Sequence, residues 1–253
     1  MQLAATLTSL PLAFDEAVLQ IRALGFTHVD LIGLIERPAS HLEALADSGL
    51  LVACAAVGRG LPDGLALDAA DVAIRRQAVA HVERQIADAA RLGASRCYVV
   101  PGHDASRAGL LHFADACAVL ADFAAARMMR LCVEHVPGRA LPTVAAALQW
   151  LDQVDHNHLD LLLDVGHCLI SDEDPAHAVL HAGRRLGYVH LDDNDSVSDL
   201  HWPLLTGRLT AEMLEAVLTV LDTDEYEGGV ALELNPNNAD PVRALAEGRA
   251  LIG

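Results

Sequence analysis

The sequence predicts an α/β fold, a single (β/α)8 TIM barrel, on three observations. A phrase of helix, glycine or polar break, then short apolar strand recurs seven times after an opening strand-like run. The strand candidates are apolar on consecutive rather than alternate residues, the pattern of parallel strands buried on both faces. Several of the later runs stop abruptly at carboxylates and imidazoles, and an α/β barrel places its chemistry at the C-terminal ends of its strands.

Taken in order, QLAATL supplies the first strand candidate, residues 2–7. IRALGFTHVDLIG (21–33) passes from helix to strand at Gly25 and supplies 28–32. ADSGLLVACAAVG (46–58) does so at Gly49 and supplies 51–57; AARLGASRCYVVPG (89–102) does so at Gly93 and supplies 96–100. These three glycines fit the left-handed position that ends a helix. AAARMMRLCVEHVPG (124–138) contributes 130–134 and NHLDLLLDVGH (157–167) contributes 159–163. RRLGYVHLDD (184–193) contributes 187–191, and EYEGGVALELNP (225–236) contributes 229–233. Between them, segments such as 75–92 and 109–127 carry apolar residues at helical spacing. No GxGxxG follows the first strand, which argues against an open dinucleotide-binding sheet. With no linker or low-complexity tract, residues 1–253 are expected to form one domain.

Composition narrows the function. Apolar residues make up 53% and aromatics 4%, so Ala, Leu and Val must build the core. The five cysteines (54, 97, 117, 132, 168) lack CxxC spacing, and Cys54, Cys97 and Cys132 lie in apolar runs as buried reduced thiols. No uninterrupted apolar run reaches membrane length and the first residues lack a basic signal-type region, so a cytoplasmic protein without membrane contact is expected. All 17 basic residues are arginine, which excludes a Schiff-base lysine, a pyridoxal-phosphate anchor and a P-loop. A net charge of −18 disfavours nucleic-acid partners.

The chemistry gathers in the later strands. The fifth run ends in Glu134, the sixth in Asp164 with His167 three residues on, the seventh contains His190, and the eighth ends in Glu233. In a barrel these ends face one mouth. Three carboxylates and one imidazole suit a divalent metal: Mn²⁺, Mg²⁺, Co²⁺ or Zn²⁺.

These phrases together carry a resemblance: VE ending at Glu134, DVGH at Asp164–His167, VHLDDND from Val189, DLH at Asp199–His201, and LE ending at Glu233. With the weaker RALGFTHVDL of the second unit, the chain resembles the xylose isomerase-like TIM-barrel superfamily, in its sugar (phosphate) isomerase/epimerase-type branch. The resemblance implies that Glu134, Asp164, His190 and Glu233 hold the catalytic metal and that His167 reaches the substrate or the metal. It implies that Glu134 and Glu233 shuttle a proton at carbon, through a metal-stabilised enediolate of a small sugar or hydroxy-carbonyl compound. The alternative is a dehydratase of the inosose or 3-dehydroshikimate type with His167 as the acid. An endonuclease IV-like phosphodiesterase fits less well, given the charge and the Val57-Gly58-Arg59 that stands where a histidine is needed.

The same resemblance makes Asp199 and His201, with His103, an expected second metal site or set of substrate contacts. The stretch 205–208 is expected to shape the substrate pocket, and Trp202 to pack its loop down. Arg37, Arg59, Arg107, Arg139 and Arg208 are candidate anion binders near the mouth. None lies in a glycine-rich helix-start loop, so a neutral polyol, keto-sugar or small carboxylate is expected before a phosphorylated compound. The expected partner is a small sugar-like molecule, with self-association as a homo-oligomer left open.

Overall fold

Eight parallel strands pair in chain order and close on themselves in this computed structural model, which describes residues 2–253. They are β1 (Gln2–Thr6), β2 (His28–Ile32), β3 (Leu51–Ala56), β4 (Arg96–Val99), β5 (Arg130–Glu134), β6 (Leu159–Asp164), β7 (Leu186–Leu191) and β8 (Gly229–Leu232). Around them run α1 (Phe14–Ala23), α2 (Ala39–Ser48), α3 (Val72–Arg91), α4 (Arg107–Ala125), α5 (Val144–Val154), α6 (Val165–Ile170), α7 (Pro175–Ala182), α8 (Ala211–Thr223) and α9 (Pro241–Ile252). The expected (β/α)8 barrel is the fold, and each expected strand is within a residue of the observed one at either end. Gly25, Gly49 and Gly93 adopt φ of +86°, +67° and +82°, as their place after a helix requires.

Two apolar layers hold the ring. Between strands and helices lies a continuous core of Leu, Val, Ala and Ile side chains, including Val18, Ile21, Val82, Ile86, Leu120 and Leu151. Inside the ring the side chains are small, Ala4, Ala53, Ala56 and Ala231 with Cys54 and Cys132, and two tyrosines fill the remaining space. The aromatic-poor composition predicts the outer layer well and misses the tyrosine filling of the inner one. Tyr188 can lie there because β8 opens with Gly229; a Cβ at that position would stand 2.1 Å from the Tyr188 ring. All five cysteines are free and buried.

Among the described residues, α4 is long and apolar enough by composition to cross a membrane. Asp115 and Asp122 interrupt its apolar sequence, and Phe113, Cys117, Leu120 and Ala124 turn inward onto the barrel.

One charged tie crosses the outer layer. Asp88 on α3 accepts from the Leu34 amide (3.0 Å) and from Arg37 Nη2 (2.7 Å), and Arg91 Nη2 reaches its other oxygen (2.8 Å). The Arg37 and Asp88 side chains are 1% and 3% exposed. Arg37 therefore belongs to the scaffold, and the expectation that it binds an anion at the mouth is corrected. Burial alone would raise the Asp88 carboxyl, but the Arg37, Leu34 and Arg91 donors hold it below its usual value of 3.8. A depressed carboxylate stabilises the fold above its unfolded value, and this contribution is lost as pH falls through the folded one. Arg37→Met should destabilise the protein by about 3–5 kcal/mol near neutrality, because it leaves a buried charge without its main partner. Urea unfolding at pH 7 and pH 3 should show that difference shrinking at the lower pH.

Candidate functional site

The strand register decides which side chains meet. Asp164 pairs with His190 across β6 and β7, Glu134 closes β5, and Glu233 follows β8 with its amide donating to the Leu191 carbonyl (3.2 Å). Glu134, Asp164, His190 and Glu233 each offer one atom, and these atoms lie within 4.8 Å of one another. His190 Nδ1 is 2.6 Å from Glu233 Oε2, 3.5 Å from Glu134 Oε1 and 3.9 Å from Asp164 Oδ2.

Local structure aims these atoms. Asp164 caps α6, where its Oδ1 accepts from the His167 amide (2.8 Å) and its Oδ2 is left to face the cluster. The Asp164 amide donates to His135 Nε2 (3.2 Å), and His167 Nδ1 donates to the His135 carbonyl (2.8 Å). His135, given no role in the sequence reading, thus fixes both residues. Burial first, then neighbouring His167, lowers its pKa to about 3, so it stays neutral.

Four buried atoms of the quartet, Asp164 Oδ2, both ring nitrogens of His190 and Glu233 Oε2, form no aligned hydrogen bond, and His190 Nδ1 and Glu233 Oε2 meet only as a close charged contact. Their charges are strained as well. Burial, then the Asp192 charge, pushes Asp164 up to about 7. Burial opposes the charged form of His190, yet Glu233, Asp30 and Glu134 raise its pKa well above the ordinary value. Buried, incompletely satisfied, oxygen-rich donors with one nitrogen are the groups a hard or borderline divalent cation satisfies, so the donor set fits such an ion.

Beside the quartet is a second acidic and imidazole cluster. Asp199 Oδ1 lies 3.4 Å from His167 Nε2 and 3.1 Å from His201 Nε2, and His201 Nδ1 contacts the Asp192 carboxylate. His201 takes a left-handed backbone (φ 46°), uncommon for a residue with a side chain and held there by its surroundings. Burial opposes its charge, but Asp192 and Asp199 raise its pKa to about 12.

The structure brings Asp199 and His201 together with His167 and leaves His103 out. His103 is exposed; its Nδ1 donates to the Gly138 carbonyl (3.3 Å) and its Nε2 accepts from Arg139 (2.8 Å). His103 is therefore not part of this group, which His167 joins instead, and His103 contacts an arginine. A cavity of about 800 Å³ opens over the cluster, lined among others by Arg59, Arg139, Glu134, His167, His201 and Glu233. Arg107 starts α4 away from this lining, and Arg208 lines a separate cleft with Asp172, Glu173 and Asp174. The stretch 205–208 does not form the pocket wall. It folds onto buried Asp193, which accepts from the amides of Gly207, Arg208 and Leu209 (2.6–2.8 Å). Trp202 joins that arrangement through a backbone bridge to Asp193, consistent with packing the loop down.

Sequence reasoning passed over Asp30. It sits inside the barrel, 3% exposed, with Oδ1 accepting from the Cys54 amide (3.0 Å) and the Tyr188 hydroxyl (2.7 Å). Its other oxygen has no hydrogen-bond partner and faces His190 Nε2, itself unpartnered, at 3.8 Å. The signal was present: a charged residue in a strand run buried on both faces calls for a partner. Asp192, fully buried between His201 and Gly166, was read only as part of the polar opening after the seventh strand.

The chain matches the family model described as "Xylose isomerase-like TIM barrel" over residues 18–252. An inosose dehydratase of Clostridium botulinum (strain Eklund 17B) is 27% identical over 150 residues, covering 53% of this chain and 50% of that protein. A probable ketose 3-epimerase of Synechocystis is 26% identical over 191 residues, covering 68% and 61%. The chain thus spans half to about three fifths of the length of these relatives. Among solved structures, an L-ribulose 3-epimerase superposes with a TM-score of 0.85 at 22% identity, over 100% of this chain and 94% of that one, which is a likeness of fold.

The tightest packing in the site yields a test. A Cβ on Gly166 would stand 1.7 Å from Asp192 Oδ1, and Asp192 is fully buried with nowhere to retreat. Gly166→Ala should destabilise the fold by roughly 1–3 kcal/mol, measured by urea unfolding, because overpacking forces such a shift. Wild-type stability in this variant would show that Asp192 is not held where it stands.

Proposed function

The chain belongs to the xylose isomerase-like TIM-barrel family, and on that premise we propose that it is a divalent-metal-dependent epimerase or isomerase of a small, sugar-like hydroxy-carbonyl compound. The observation that carries the reading is the convergence of Glu134, Asp164, His190 and Glu233, with four buried atoms that form no aligned hydrogen bond, at the floor of an 800 Å³ cavity. Those four residues would hold the ion, Mn²⁺, Mg²⁺, Co²⁺ or Zn²⁺. Such an ion, when bound, polarises a substrate oxygen and makes the neighbouring C–H more acidic.

The remaining chemistry falls to side chains. Glu134 and Glu233 end strands three apart in the ring, so they approach a substrate carbon from different directions. One carboxylate takes the proton from the carbon next to the carbonyl, and the C–H electron pair moves into an enediolate. A proton returned to the opposite face of that carbon gives the epimer; a proton returned to the former carbonyl carbon, with the hydroxyl proton passing to the former carbonyl oxygen, gives the isomer. His167, whose Nδ1 is committed to the His135 carbonyl, presents Nε2 toward Asp199 (3.4 Å) and the cavity, where it can hold a substrate oxygen.

A second reading is favoured by the dehydratase relative and by that same Nε2. An acid placed there would protonate a β-hydroxyl as it leaves the enediolate, and the product would be an unsaturated ketone and water. Product mass separates the two readings.

Assay of the Mn²⁺-loaded protein against ketoses and inososes in heavy water should incorporate deuterium next to the carbonyl. Glu134→Gln and Glu233→Gln keep an oxygen donor and remove the base, so each should lower kcat by about 10²–10⁴. Full activity in both variants would end the proton-shuttle mechanism. Asp30→Asn should weaken divalent-ion affinity by about 10–100-fold in a chelator competition while circular dichroism stays native, as expected for loss of the carboxylate that orients a ligating histidine. An affinity equal to wild type would leave Asp30 as packing only.

A further inference from the structure

Among the described residues, five of the 17 arginines pair with carboxylates and twelve do not. The five are Arg37, Arg91, Arg130, Arg185 and Arg243. Among the described residues, Arg59 and Arg139, the two that line the cavity over the quartet, have no carboxylate partner. In a chain with 35 acidic residues against 17 arginines, two unpaired guanidinium groups in an acidic mouth need a reason.

Both residues are exposed, and each has contacts that direct it. The Arg59 backbone lies between Gly58 (φ +79°) and Gly60 (φ +70°), in a turn that only glycine makes without strain. Gln85, 3% exposed on α3, uses both ends of its amide there: Oε1 accepts from the Gly58 amide (2.7 Å) and Nε2 donates to the Arg59 carbonyl (2.9 Å). A buried glutamine clamping either side of one residue fixes where that side chain emerges. The guanidinium then reaches inward, with Nη2 donating to the Tyr98 hydroxyl (3.4 Å), and the Tyr98 ring packs edge-on against His190 with centroids 5.3 Å apart. Arg139 is oriented by His103 as described above, in the tautomer that donates to Gly138 and accepts from the arginine. The three loops involved follow β3, β4 and β5, which are neighbours in the ring.

From this arrangement we infer that Arg59, with Arg139, is an anion-recognition site of the same mouth, and that the substrate carries an anionic group, a carboxylate or a phosphate, beyond its reacting hydroxy-carbonyl centre. The inference rests on the epimerase or isomerase reading for the identity of that centre and narrows the substrate to acidic compounds. Guanidinium groups present paired donors to such anions, and fixing them beforehand removes the ordering cost on binding. They also offset the repulsion that a net charge of −18 exerts on an anionic substrate entering the mouth.

The test uses three matched polyols: D-glucitol, D-gluconate, which replaces one terminal CH₂OH with a carboxylate, and D-glucitol 6-phosphate. Calorimetric titrations are run at 0.15 M salt on both EDTA-treated and Mn²⁺-loaded protein. Wild type should bind at least one anion more tightly than glucitol by roughly tenfold or more, the effect of a charge-assisted hydrogen bond. The stronger of the two identifies the carboxylate or the phosphate as the recognised group. Arg59→Met should reduce that preference by roughly tenfold, and Arg59→Lys should retain part of it, since a point charge cannot bind in two-pronged fashion. Glucitol binding as tightly as both anions would overturn the inference. So would an anion preference that survives intact in the Arg59→Met/Arg139→Met double variant. Anion selectivity in EDTA without stoichiometric Mn²⁺ uptake would sink the metal-dependent reading and keep the anion site; Mn²⁺ uptake without selectivity would do the reverse.

Discussion

Everything at the mouth follows from the confinement of acidic groups where water is scarce. Glu134, Asp164, Asp192 and Asp30 are all nearly or fully buried, and His190 stands among them with no exposed surface. Ionised carboxylates in such a place are unfavourable unless each oxygen is paired. The fold pairs some of them with its own backbone: Asp164 with the first turn of α6, Asp30 with the Cys54 amide, and Asp193 with the amides that follow it. Glu134, Asp164, His190 and Glu233 bring the remaining donor atoms to one small volume, the candidate metal site.

The scaffold makes such pairing possible by being stiff and narrow. Alanines at four interior positions leave space in the ring, Tyr98 and Tyr188 fill it, and Gly229 lets the Tyr188 ring approach β8 closely. The Tyr188 hydroxyl then reaches Asp30, and Asp30 faces His190. A glycine at the entry to the last strand is in this way connected, through an aromatic ring and a carboxylate, to the nitrogen at the centre of the quartet. A chain of close-packed neighbours of this kind transmits placement because the interior has little room for adjustment.

Arginine as the sole basic residue suits a protein built this way. Its planar fork can satisfy a buried carboxylate from two directions, as Arg37 does for Asp88 and Arg130 does for Asp160, where a lysine offers one point of charge. Arg59 and Arg139 differ in that their hydrogen-bond partners are the neutral Tyr98 hydroxyl and His103 ring.

The chain's own order of residues determined the barrel, its eight strands and the quartet. Buried parallel strands are apolar without interruption, so they can be read locally, and a carboxylate or imidazole at the end of such a run is conspicuous: Glu134, Asp164, His190 and Glu233 all declared themselves. Roles that depend on distant partners were not legible. His103 and Arg37 have the residue types of a ligand and an anion binder, yet one orients Arg139 and the other is tied to Asp88, 51 residues away. Asp30 looked like one polar residue in an apolar strand until closure of the ring brought Tyr188 to it across 158 residues. Strand propensity and strand ends are properties of neighbouring residues, whereas the partner of a buried charge is chosen by which elements the closed barrel sets side by side, and only the tertiary structure decides that.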